Sequence, residues 1–115
     1  MNEGSMWESL LLAAHRELEN LTVIVDSNHS GDRALSLGRL AEKCLAFGCD
    51  VTSGHGHDHT FLEAALRKQT LKPHIVIAET TKGKGCRSME NNPQWHHKNP
   101  TPDELMQLLE ELHHA

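Results

Sequence analysis

Apolar positions along the chain change period several times, and each change marks an element. Trp7, Leu10, Leu11, Ala14 and Leu18 recur at helical spacing, and Ser5 with Glu8 has the S-x-x-E form of a capping box, which predicts a helix from about Ser5 to Leu18. Leu21-Thr22-Val23-Ile24-Val25 is apolar at nearly every position, the pattern of a strand buried on both faces; a polar loop from Asp26 to Arg33 follows. Leu37, Leu40, Ala41, Cys44 and Leu45 restore the helical period up to Phe47-Gly48, where glycine can close the helix in a left-handed conformation. A weak strand around Asp50 to Ser53 leads through the loop Gly54 to Asp58 into a third helix, with Thr60 and Glu63 as its capping pair and an end near Lys68. Pro73 precedes His74-Ile75-Val76-Ile77-Ala78, the clearest strand, and a long loop from Thr80 to Pro100 separates it from the last helix. Thr101 as N-cap, Pro102 at the first helical position and acidic Asp103 and Glu104 open that helix ahead of Leu105, Leu108, Leu109 and Leu112.

The order helix-strand-helix-strand-helix-strand-loop-helix predicts an α/β fold, a parallel sheet with helices on both faces and ligand sites at the C-terminal ends of its strands. A right-handed βαβ unit would place a strand before the first helix, and none is in the sequence, so the fold is expected to be truncated at its N-terminus. With 115 residues there is room for one domain. A hydrophobic fraction of 37% and a charged fraction of 23% match a folded globular chain.

Charge narrows the partners. A net charge of -5, with Lys and Arg scattered apart from Lys82 and Lys84, gives no basic field for nucleic acid, so a bound anion would be small and held locally. No apolar run approaches the roughly 20 residues that span a bilayer, and the first residues lack signal-peptide character, so no membrane is expected and the expected location is cytoplasmic. Cys44, Cys49 and Cys86 form no CxxC pair, and reduced, mainly packing thiols are expected.

Five blocks occur in one order: Asn2-Glu3-Gly4-Ser5-Met6-Trp7-Glu8, Val25-Asp26-Ser27-Asn28, Lys82-Gly83-Lys84-Gly85, Met89-Glu90-Asn91-Asn92 and Trp95-His96-His97-Lys98. Together they resemble the transketolases, especially the split form with separate N- and C-terminal subunits, over nearly the whole chain. The resemblance implies that residues 1–115 are a partial thiamine-diphosphate-binding domain, the C-terminal half of the transketolase N-terminal type. It implies a transferase of the pentose phosphate pathway that moves a two-carbon ketol unit from a ketose phosphate to an aldose phosphate with thiamine diphosphate and Mg2+ (or Ca2+). It further implies that the partner is a C-terminal transketolase subunit, in a homo- or hetero-oligomer such as a dimer, and that this chain has no activity alone.

Site roles follow from the same resemblance. Asn28 matches the Asn that closes the family's cofactor motif, so its side-chain oxygen would bind the metal, with the Ser30 carbonyl as a further ligand. Read by itself, Asn28 is a residue that stabilises a turn after a strand. Lys82 matches a lysine near the diphosphate, and His96 a catalytic histidine at the phosphate end of the cofactor and the substrate channel. Taken alone, Lys82 and Lys84 read as a solvated loop, and His96 and His97 as packing beside Trp95. Glu3 matches a glutamate at the subunit interface that would share protons between sites; by itself it is a carboxylate at a helix start. The family's Gly-Asp-Gly segment, which brings the principal metal carboxylate, has no counterpart here. Cys49, His55 and Arg87-Ser88 depart from the family pattern. A competing reading takes His55, His57, Asp58 and His59 as a transition-metal loop in a non-catalytic binding protein.

Overall fold

A computed structural model describes residues 1–32 and 34–114; Arg33, the expected end of the polar loop, lies outside the described residues. The elements are α1 (Gly4–His15), β1 (Thr22–Ser27), α2 (Leu40–Ala46), β2 (Asp50–His55), α3 (His59–Arg67), β3 (His74–Glu79), a 3-10 turn (Pro93–His96) and α4 (Pro102–His113). The strands form one parallel sheet in the order β1-β3-β2, with His74 opposite both Thr22 and Asp50. β3 takes the centre of the sheet. Ile75, Val76 and Ile77 of β3 are all buried.

Helices cover both faces, as the alternation predicts. Leu10 of α1 and Cys44 of α2 join Val25, Ile75, Ile77 and Cys49 in the core cluster, which places both helices on the face that carries Val25 and Ile77. On the opposite face α3 packs against β2 and β3, and a side chain at Gly54 would collide with the Phe61 ring at 2.5 Å. Tilted ring packing of Trp7 on Phe47, with centroids 5.3 Å apart, ties α1 to the end of α2. The indole N–H donates to the Met1 carbonyl at 3.1 Å and fixes the chain start beside it.

Several local expectations change. β1 is an edge strand and not buried on both faces: Val25 faces the core at 9% exposure, while Ile24, on the face where α3 packs against β2 and β3, is 56% exposed. α1 begins one residue earlier than expected and stops at His15, because Glu17 turns the chain with a φ of 52°. Its N-cap is Glu3, without a side-chain cap bond, so no Ser5–Glu8 capping box forms; Ser5 lies inside the helix, and its carbonyl accepts from the Ser9 hydroxyl. α2 starts at Leu40, beyond Gly38 with its φ of 55°, and closes at Gly48 with a φ of 87° as predicted. α3 is capped by Asp58, whose carboxylate accepts from the Thr60 and Phe61 N–H groups, and not by a Thr60–Glu63 pair. In α4, Thr101 and Glu104 form a full capping box around Pro102. All three cysteines are free and buried. Burial raises the Cys44 and Cys49 thiol pKa values, so both are inert packing groups.

The chain divides into two compact units, Met1–Thr80 and Thr81–Ala115. The first carries the sheet with α1 to α3, and the second carries the 3-10 turn and α4.

Candidate functional site

At the C-terminal end of β1 the chain leaves the sheet through Asp26, Ser27 and Asn28. The Asn28 amide bridges its neighbours: Nδ2 donates to the Asp26 carboxylate at 2.8 Å, and Oδ1 accepts from the Ser30 N–H at 3.0 Å. This is the side-chain-closed turn that an Asn after a strand favours. Thr80, just past β3, donates its hydroxyl to the other oxygen of Asp26, and its N–H bonds the Ser27 carbonyl at 3.2 Å. Next in the loop, His29 takes a φ of 59° and sits between two carboxylates, with Nδ1 2.9 Å from Asp32 and Nε2 3.2 Å from Glu79. The hydrogen bond to Asp32 raises the His29 pKa; slight desolvation opposes it, and the Asp32 and Glu79 charges add to it. These pairs lie in water and contribute little stability. Glu3, Asp26, Asn28, His29 and Asp32 line one cleft of about 660 Å³, so the structure brings two expected site residues, Glu3 and Asn28, to a common opening.

The second unit presents Lys82 and His96. Lys82 Nζ is in hydrogen-bond contact with His96 Nδ1. An ammonium can only donate, so Nδ1 carries the lone pair, and the ring hydrogen sits on Nε2 as a second donor. The Lys82 carbonyl accepts from the Asn91 N–H at 2.9 Å, and Gly83, with a φ of 78°, has no room for a side chain against the Met89 carbonyl. Asn92 caps the 3-10 turn that presents His96 by accepting from the Gln94 N–H. His97 meets the His96 ring edge-on at 4.4 Å, and Lys98 lies 4.5 Å from the Trp95 ring centre while pairing with Glu104. Together these contacts hold a cation and a neutral imidazole side by side, a pair of donors suited to an anion.

No family model matches the chain. It is 41% identical, over 97% of its own length, to one subunit of the apulose-4-phosphate transketolase of Actinobacillus succinogenes, of which it covers 43%. It is 33% identical over 96% of its length to the protein of the same name from Phocaeicola vulgatus, of which it covers 42%. Among solved structures, the transketolase of Campylobacter jejuni superposes on 80% of this chain with a TM-score of 0.74 and 31% identity, although the chain spans only 16% of that protein. The transketolase of Leishmania mexicana superposes on 96% with a TM-score of 0.83 and 27% identity, again over only 18% of the longer chain.

The chain is a transketolase homologue. It spans less than half the length of the Actinobacillus and Phocaeicola relatives. Its sheet and helices are those of transketolase N-terminal domains.

The donors that this transketolase homologue offers a metal fit in type but not in number. Asn28 Oδ1 and the Ser30 carbonyl are hard, neutral oxygens of the kind that Mg2+ and Ca2+ take, and the turn bond occupies one of the two lone pairs on Oδ1. Two such donors make part of a coordination shell. Among the described residues no three His, Cys, Asp or Glu side chains converge on a metal position. In the histidine loop, His55 ends β2, His59 starts α3, and the Asp58 carboxylate between them caps the helix. Asp26 and Thr80 escaped the sequence reading as site residues. The signal for Asp26 was its place, a carboxylate at the end of a parallel strand, two residues before Asn28.

Proposed function

We propose that this chain supplies part of the cofactor-binding half of a transketolase-type transferase, which moves a two-carbon ketol unit between sugar phosphates. The likeness to the Actinobacillus succinogenes transketolase protein through 97% of the chain carries this reading. In it, residues 1–115 are a partial thiamine-diphosphate-binding domain and the activity needs more than this chain. Thiamine diphosphate, when bound, supplies the carbanion chemistry of the transfer. The chain positions and polarises. Asn28 Oδ1 and the Ser30 carbonyl would hold Mg2+ or Ca2+, ions that take hard oxygen donors. Lys82 places a fixed positive charge at the diphosphate, and His96 donates from Nε2 to phosphate or substrate oxygen. Glu3, at the cleft edge, shares a proton across the subunit interface.

The partner is a C-terminal transketolase subunit in a hetero-oligomer, as relatives that are themselves single subunits of a transketolase suggest. The name of the Actinobacillus succinogenes relative makes apulose 4-phosphate the first sugar phosphate to test. Three reduced cysteines fit the reducing cytoplasm, and among the described residues no helix is long and apolar enough to cross a membrane.

Calorimetric titration of thiamine diphosphate with Mg2+ tests the proposal on the chain joined to the upstream segment of the Actinobacillus succinogenes relative and mixed with a C-terminal subunit. Binding is expected there, weakened about tenfold by Asn28→Ala and again by Lys82→Ala, the scale of a lost charge-assisted contact. An assembled complex that takes up no cofactor overturns it.

A further inference from the structure

Residues at the ends of all three strands are linked in series to one side-chain amide, that of Asn28. We infer that Asp26 and Thr80 are positioning residues, which fix the Asn28 amide with Oδ1 turned toward the Ser30 N–H. An Asn side chain has two faces of nearly equal shape, and a metal or other cation can use only the oxygen. Which face is presented depends on its neighbours. An ionised Asp26 carboxylate accepts and cannot donate, so it meets Asn28 at Nδ2, at 2.8 Å; this sends Oδ1 to the Ser30 N–H, at 3.0 Å. Both contacts select the same orientation.

Asp26 is exposed, and free in water it would sample several rotamers. Thr80 removes that freedom by donating its hydroxyl to the second carboxylate oxygen. Thr80 is itself held: its N–H bonds the Ser27 carbonyl at 3.2 Å, and its methyl group lies where a side chain at Gly56 would come within 2.5 Å. Only glycine at position 56 lets Thr80 pack there. The Gly56 N–H also bonds the Glu79 carbonyl at 2.7 Å, which closes the loop after β2 onto the end of β3. A chain of contacts thus runs from Gly56 through Thr80 and Asp26 to Asn28. It is built from hydrogen bonds and one close packing contact, all within Met1–Thr80.

The inference rests on the transketolase reading only for what Asn28 Oδ1 meets; the fixed amide itself does not. The test reads the Asn28 side-chain NH2 signals in 1H–15N spectra of the full 115-residue chain, alongside cofactor affinity in the assembled enzyme. Thr80→Val keeps the shape of the side chain without its hydroxyl, Thr80→Ser retains the hydroxyl, and Asp26→Ala removes the carboxylate; a circular-dichroism melt establishes that each variant folds. A hydrogen-bonded, downfield Asn28 NH2 proton is expected in the parent chain and in Thr80→Ser. It should collapse toward the free-amide position in Asp26→Ala and Thr80→Val, with Mg2+–thiamine diphosphate affinity about tenfold weaker in Thr80→Val and recovered in Thr80→Ser. Unchanged Asn28 signals in Thr80→Val, or Thr80→Ser behaving as Thr80→Val does, overturns the positioning role whatever the cofactor does. Signals that respond as expected in a chain whose assembled form binds no cofactor uphold the positioning role and overturn the transketolase reading instead.

Discussion

His74 opens the central strand with 1% of its surface exposed. Its Nε2 lies 2.9 Å from the Thr52 hydroxyl oxygen, which also accepts from Lys68 at 3.3 Å, while Nδ1 is buried without a partner among the described residues. A neutral ring leaves one nitrogen unsatisfied. An imidazolium would bury a charge and an unpaired N–H beside the Lys68 ammonium. Burial, and after it Lys68, therefore lowers the His74 pKa; Asp50, its neighbour across β2, opposes them only in part. The folded state then binds fewer protons than the unfolded chain, whose histidine titrates near about 6.5, so the contribution of His74 is fully present above that pH and is lost as pH falls below it. Melting temperature measured from pH 8 down to about pH 5 should decline through that window, and His74→Gln should flatten the decline. An equal slope in the variant would show that other groups set the acid response.

At the scale of elements, the sequence pattern reveals which segments are strands but not their places in the sheet. Leu21 to Val25 and His74 to Ala78 both read as continuous apolar runs, yet only β3 lies between two neighbours. Edge or centre is decided by chain crossover, which hydrophobic period does not encode. The difference is measurable: Ile75→Ala, at 0% exposure, should cost about 2–5 kcal/mol in urea unfolding, and Ile24→Ala, at 56%, less than about 1 kcal/mol. Comparable losses would mean that Ile24 is covered in solution. Helix starts were partly legible for a related reason. Thr101-Pro102-Asp103-Glu104 carries several agreeing signals and forms as read, whereas Ser5 and Thr60 each offered one S/T-x-x-E match, with a rival start just upstream at Glu3 or Asp58. The site divides in the same way. Asn28, Ser30, Lys82, His96 and Glu3 were legible only as matches to family blocks. The Asp26–Thr80 contact joins residues 54 apart in sequence and could not be read from local pattern.

For the whole molecule, the two compact units differ in what holds them. In Met1–Thr80, β3 bonds to a strand on each side and is covered by helices on both faces. Thr81–Ala115 relies on local turns and a few side-chain clasps: Glu111 accepts from the Ser88 N–H and hydroxyl at 3.2 and 3.1 Å, and the Cys86 thiol reaches the Leu108 carbonyl at 3.7 Å. Backbone amides in a buried central strand exchange only through large openings, while turn amides with few buried neighbours exchange through local ones. Hydrogen exchange followed residue by residue should find Ile75 to Ala78 protected longest, α4 intermediate, and the segment from Lys82 to Lys98 exchanging first. Glu111→Ala should speed exchange at Ser88 without touching β3. Lys82 and His96, the residues proposed to grip an anion, then belong to the least protected stretch, where a bound diphosphate or sugar phosphate has the most ordering to supply. Protection between Lys82 and Lys98 equal to that of β3 would show instead that the anion-binding pair is rigid before any ligand arrives.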